Sequence, residues 1–120
     1  MELRAAQTEV EAISRAYARI HGIDRTDDWL LLKLGEEIGE LTQAHLAQTG
    51  RSRRSATEAD VADELADVLA HVLLIAERRG VDLSSALESK WGQWRHLVIE
   101  QDRSGPARSP GVGTAEGDRS

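Results

Sequence analysis

Lys33-Leu34-Gly35-Glu36-Glu37-Ile38-Gly39-Glu40-Leu41 sets three carboxylates and an ammonium among residues whose apolar members recur at helical spacing. At about 3.6 residues per turn, Leu30, Leu31, Leu34, Ile38 and Leu41 fall along one apolar stripe, the side expected to face a core. Trp29, Lys33, Glu36, Glu37 and Glu40 fall on the neighbouring side, with Glu37 and Glu40 one turn apart. Like charges at that spacing repel by about 0.2–0.5 kcal/mol per pair unless a cation lies between them. The stretch from Asp60 to Val68 repeats the pattern: Glu64 and Asp67 are again i, i+3, beside Val61, Leu65, Val68, Val72 and Ile75. A single acidic pair on a helix is most simply a solvated face. Two matching pairs bordering stripes that must meet in a core bring Glu37, Glu40, Glu64 and Asp67 together, and a hard divalent cation, Mg2+ with Mn2+ as the alternative, is the natural occupant of such an oxygen site.

Glu36-Glu37-x-x-Glu40, followed after 23 intervening residues by Glu64-x-x-Asp67, resembles the EExxE…ExxD signature of the MazG-like, all-α nucleoside triphosphate pyrophosphohydrolases. The flanking Leu32-Lys33-Leu34-Gly35, Glu64-Leu65-Ala66-Asp67-Val68-Leu69, Gly80-Val81-Asp82-Leu83 and Lys90 agree, so the resemblance runs from about Trp29 to Arg95. It implies an all-α, four-helix bundle-like domain. It also implies Mg2+-dependent hydrolysis of a (d)NTP to (d)NMP and pyrophosphate, as in nucleotide-pool house-cleaning. The metal would sit on Glu37, Glu40, Glu64 and Asp67, and Glu36 would activate water or hold a second ion. Lys33 and Lys90 would face the phosphates. Trp29, His71 and Arg95 complete the expected substrate contacts, Trp29 by stacking on a base. Relatives are typically oligomeric, so a homodimer or homotetramer is implied. Where the family commonly carries an asparagine one turn after the lysine, this chain has Trp94, followed by Arg95. That departure keeps open a non-catalytic nucleotide-binding helical partner, and within the same chemistry a phosphoribosyl-ATP-type pyrophosphohydrolase is the other alternative.

The whole chain narrows the setting. It has 120 residues, 40% hydrophobic, a formal charge of −6 and no cysteine, which supports one domain, no thiolate metal site, and a reducing cytoplasm. No apolar run approaches membrane-spanning length and no signal-peptide pattern opens the chain. The acidic balance disfavours a nucleic-acid polymer as partner while leaving a metal-bound nucleotide compatible.

Along the chain, Glu2 to Ile20 is predicted as a first helix with Leu3, Ala6, Val10, Ile13, Tyr17 and Ile20 on one face, stopped by Gly22. Thr26 is the expected cap of the second helix, which runs to about Gln48. Gly35 and Gly39, four apart on a side shared with Leu32 and Leu46, predict close approach by another helix, from this chain or a second subunit. His45 reads as a core or interface residue. Gly50-Arg51-Ser52-Arg53-Arg54-Ser55 is a solvated linker or a flap whose arginines attract polyphosphate. Thr57-x-x-Asp60 predicts a capping box, competing with a metal or ribose role for Asp60. His71 lies one turn beyond Asp67, either held by that carboxylate or lining the nucleotide pocket. Asp82 or Ser84 should cap a fourth helix with Leu83, Ala86, Leu87, Trp91, Trp94, Leu97 and Val98 on one face and Lys90 in its middle. The helical domain is expected over residues 1–101, with 102–120, rich in turn formers, a disordered tail.

Overall fold

The computed structural model describes residues 2–104. Helices α1 (Leu3–His21), α2 (Asp27–Gln48), α3 (Glu58–Arg78), α4 (Leu83–Trp91) and α5 (Arg95–Ser104) follow in order, with a 3-10 turn at Gly92–Trp94 between the last two. No strand occurs among the described residues, and the fold is all-α. No described helix is long and apolar enough to cross a membrane. The chain divides after Ser84 into two compact units.

Local chemistry sets the helix limits of the first unit. The Glu2 carboxylate accepts from the N–H groups of Arg4 and Ala5, and Gly22, at φ 65°, closes α1 in the left-handed conformation that a side chain resists. Thr26 Oγ1 accepts from Trp29 N at 3.0 Å, while Asp27 and Asp28 occupy the first turn of α2, where the helix dipole favours acids. The Thr57 hydroxyl and the Asp60 carboxylate cap each other's backbone at the start of α3, so Asp60 is a structural cap.

Helix α3 is the centre of this unit, packing against both α1 and α2. The core holds Leu30, Leu73 and Leu74 with Ala18, Ala44, Ala47 and Ala76. Leu30 and Leu73, almost fully buried, each contribute about 1.5–3 kcal/mol by leaving water. On α2 the buried residues lie toward the two ends, Leu30 at one and Ala44 and Ala47 at the other. Leu34, Glu37 and Leu41 between them are half-buried.

Several positions expected in the core are open. Leu31 and Ile38 on α2, and Ile13, Tyr17 and Ile20 on α1, are exposed. The reason is geometric: helix periodicity marks an apolar arc wider than the strip one neighbouring helix can cover. His45 is exposed too, its Nε2 lying 3.1 Å from Arg51 Nη2.

In the second unit the predicted fourth helix is interrupted. Residues 92–94 tighten into the 3-10 turn, Gln93 donates to the Lys90 carbonyl at 2.8 Å, and the helix resumes at Arg95. Asp82 Oδ1, just before α4, accepts from Ser84 N at 3.1 Å. Lys90 is exposed, as are Leu87, Trp91, Trp94, Leu97 and Val98 around it, so it is not an ammonium immersed in an apolar face. Helix α5 continues to Ser104, past the expected boundary at residue 101. The rest of the expected tail, 105–120, lies outside the described residues.

Candidate metal centre and its cleft

The packing of α2 on α3 brings three of the four expected ligands together. One carboxylate oxygen each from Glu37, Glu40 and Glu64 lies within 4.8 Å of the others, the one such group among the described residues. Asp67 stands outside this triad, although its charge acts on both Glu37 and Glu64. It lines a cleft of about 420 Å3 whose wall Glu37, Lys33 and His71 share.

The triad is electrostatically unsatisfied. Burial is the largest influence raising the Glu37 carboxyl above its ordinary range. The hydrogen bond to Glu40 and the charges of Glu40 and Asp67 add to it, and the His71 charge works against them. Glu37 Oε2 is buried without a hydrogen-bond partner. Burial and the charges of Glu40, Asp67 and Asp63 also raise Glu64, while Arg54, from the basic loop before α3, pulls it down. A buried oxygen lacking a partner, beside two more carboxylates, fits a divalent cation bound by hard oxygen donors.

Around the acids, Lys33 Nζ bonds Glu36 Oε1 at 3.0 Å. That bond is the main reason the Lys33 ammonium is held above its ordinary value, helped by the charges of Glu36, Glu37 and Glu40. Glu36 is therefore tied to Lys33 and outside the triad. His71 Nδ1 lies 2.9 Å from the Asp67 backbone carbonyl, not from its carboxylate. Because a carbonyl only accepts, this contact as a hydrogen bond has Nδ1 donating, which leaves Nε2 facing away from the helix backbone. Trp29, half-buried two turns before Glu37, does not line the cleft. Lys90 and Arg95 belong to the second unit, where Arg95 Nη2 pairs with Glu88 Oε1 at 2.9 Å.

The far wall of the cleft is a contribution of α1 that motif reading missed: Val10, Ile13, Ser14 and Tyr17 face the acidic side. Its signal is present in the apolar arc of α1, half of which, Ile13, Tyr17 and Ile20, is exposed. The volume and the mix of apolar wall with a few polar groups match small-molecule sites, which span about 300–1,000 Å3.

An all-α unit with clustered carboxylates beside an amine-bearing, part-apolar cleft has the donors for a cation and an anionic ligand, and the family comparison supplies the class, a hydrolase. The family model described as phosphoribosyl-ATP pyrophosphohydrolase matches residues 11–89, about two thirds of the chain. The chain belongs to that family, which lies within the MazG-like all-α superfamily, and it is by that membership a pyrophosphohydrolase, a hydrolase of acid anhydrides. The matched span holds every acid of the site and stops before Lys90, Trp94 and Arg95. Searches of curated proteins and of solved structures each returned no match.

Proposed function

We propose that this protein hydrolyses the α–β phosphoanhydride of a nucleotide in a divalent-cation-dependent reaction, releasing pyrophosphate and a nucleoside monophosphate. The observation that carries this is the buried, unpartnered Oε2 of Glu37 within the Glu37–Glu40–Glu64 triad at the edge of the cleft. Glu37, Glu40 and Glu64, with Asp67 beside them, would hold Mg2+ or Mn2+. The ion would supply charge neutralisation at the phosphate oxygens and a lowered pKa for water. Lys33, within reach of all three α2 glutamates, orients the polyphosphate by its positive charge. Glu36 takes the proton of the attacking water once Lys33 turns from it to the substrate. As the water oxygen bonds phosphorus, the bridging P–O bond breaks and pyrophosphate leaves with the electron pair. The wall of Val10, Ile13 and Tyr17 shelters the nucleoside, and His71 Nε2 offers it a polar contact.

Two substrate classes fit this reaction. The EExxE…ExxD acids support a (d)NTP. The family match supports a phosphoribosyl-linked ATP, in which the same anhydride is cut. Pyrophosphate release from a panel of NTPs, dNTPs and phosphoribosyl-ATP, with Mg2+ or Mn2+ and against Glu40→Gln, separates them by product. Release from neither class by folded, cation-bound protein overturns the proposal and leaves a nucleotide-binding partner protein in its place.

A further inference from the structure

Cationic groups gather away from the triad as well. Arg15 and Arg19 of α1, Arg25 of the α1–α2 turn and Arg78 in the last turn of α3 line an open cleft of about 410 Å3, with Asp24 as its one acidic lining residue. On α1 the face carrying Arg15 and Arg19 lies about 140° round the axis from the face carrying Ile13, Ser14 and Tyr17, so this cleft and the acidic one use different sides of the helix. Three of the arginines are held by acids that leave part of each guanidinium unused. Arg25 gives both Nη groups, and Arg15 its Nε, to Glu11. Arg78 gives Nε to Asp27 and Nη1 to the Arg25 carbonyl. The Nη groups of Arg15, Nη2 of Arg78 and Nε of Arg25 remain, the last buried without a partner. Arg19, exposed, makes no hydrogen bond or ion pair with any described residue. Four guanidiniums therefore stand against three acids, Glu11, Asp27 and Asp24, in a chain whose overall charge is −6.

We propose that this cleft is a second ligand site, which binds a phosphate group of a small anion: inorganic phosphate, pyrophosphate or a phosphomonoester. Guanidinium N–H groups supplied by three segments of the chain suit a tetrahedral oxyanion with three or four oxygens. A planar carboxylate is satisfied by a single arginine fork and has no use for the rest. Because Glu11 and Asp27 already hold Arg15, Arg25 and Arg78, only Arg19 has to be ordered on binding, which keeps the entropic cost low. The acidic balance of the chain and the confinement of these arginines to one cleft disfavour an extended nucleic-acid polymer there. An anion in this position joins α1, the turn and α3, the same segments that the Glu11–Arg25–Arg78 contacts join, so its binding stabilises the folded chain. The site uses none of Glu37, Glu40 and Glu64 and needs no divalent cation, and it stands independently of the reaction proposed above.

Calorimetric titration and thermal melting of the full chain, free of divalent cations, test this. Phosphate, pyrophosphate and adenosine monophosphate are each added, with acetate at matched ionic strength as the planar control. The three phosphate-bearing anions are expected to bind and to raise the melting temperature, and acetate is not. The tightest of the three shows whether the site is read best by a free ion or by a nucleotide. Arg19→Glu is expected to weaken binding at least about tenfold, the scale of a lost hydrogen bond to a charged group, with unchanged helical circular dichroism, since Arg19 is exposed and unpartnered. Lys33→Gln, which removes the ammonium of the acidic cleft, is expected to bind as wild type does. In wild type the nuclear magnetic resonance signal of the buried Arg25 Nε–H is expected to move during the titration. No binding at millimolar anion, an equal effect of acetate, binding unchanged by Arg19→Glu, binding lost in Lys33→Gln, or an unmoved Arg25 signal would each overturn the proposal.

Discussion

Glu11 and Glu37 are part-buried glutamates on neighbouring helices of one small unit, and their surroundings treat them in opposite ways. Glu11 receives Arg25 Nη2 at 2.7 Å and Nη1 at 3.1 Å, and Arg15 Nε at 2.6 Å. Burial pushes its carboxyl up, and the hydrogen bonds from Arg25 and then Arg15 outweigh that and hold it below the ordinary range. Arg78 completes the lock, donating to the Arg25 carbonyl at 2.6 Å and pairing with Asp27 at 2.8 Å, so the α1–α2 turn is tied to α1 and to α3. Glu37, about 15 Å along α2 from that turn, has an unpartnered buried oxygen and is surrounded by further carboxylates. One acid stabilises the fold. The other is left in deficit, as groups at functional sites commonly are.

Exchanging one acid of each region for its amide, Glu40 in the triad and Glu11 in the lock, sharpens the contrast most. Glu40→Gln is expected to lower pyrophosphate release by at least about 100-fold, the upper range for disturbing a metal site's supporting groups, while the cation-free protein melts no lower than wild type. Glu11→Gln is expected to leave turnover per folded molecule unchanged. A Glu40→Gln enzyme that keeps its rate would erase the distinction between the regions.

Cation binding gives the next effect. Mg2+ or Mn2+ at a hundredfold excess over its dissociation constant should add about 2.7 kcal/mol of stability, seen as a higher melting temperature. The rise should be lost in Glu40→Gln and kept in Glu11→Gln. Equal shifts in both variants would mean that the ion binds elsewhere. On the other side of the comparison, Glu11→Gln should cost about 2 kcal/mol, the scale of hydrogen bonds to a charged group, since Arg25 and Glu11 are only 12% and 14% exposed. For a domain of this size that lowers the melting temperature by roughly 10 °C. Arg15→Ala, removing a partner that is mostly in solvent, should change it far less.

The acidic half of this comparison is legible in the sequence, and the basic half is not. Glu37, Glu40 and Glu64 stand out because i, i+3 spacing on two apolar-striped helices is a local signal, and the periodicity also fixes the helices that carry them. Asp67 stands outside the triad although its spacing from Glu64 is the same as that of Glu40 from Glu37, so the spacing that marks the pair does not tell which of its members reaches the neighbouring helix. The Glu11–Arg25 lock joins residues 14 apart across a turn, with no periodicity to announce it. The α1 wall of the cleft is similarly hidden: Ile13 and Tyr17 look like core until the packing leaves them uncovered. The interruption at Gly92 is marked only by a single glycine in an otherwise helical run. Gly35 and Gly39 are legible as a demand for close packing, and no described residue meets it.

The smallest effect expected is the shape of stability against pH in the absence of divalent cations, and it distinguishes the two regions by sign. Glu37 and Glu64 have carboxyls raised in the folded state, so their penalty is fully present above those raised values and is relieved as pH falls through them toward the ordinary glutamate value. Glu11 is lowered, so its stabilisation is fully present above the ordinary value and is lost as pH falls through its depressed one. The two windows lie on opposite sides of the unfolded glutamate's titration. Melting temperature should therefore rise on mild acidification from neutral pH and then fall on stronger acidification. Glu40→Gln should flatten the rise and leave the fall. Glu11→Gln should lower the whole curve, leave the rise and soften the fall. Saturating Mg2+ should abolish the rise in the wild type, because a bound cation removes the repulsion that protonation would otherwise relieve. A wild-type melting temperature that falls monotonically from neutral pH without cation would show that the triad is not under strain, and that Glu37 is satisfied by something within the chain.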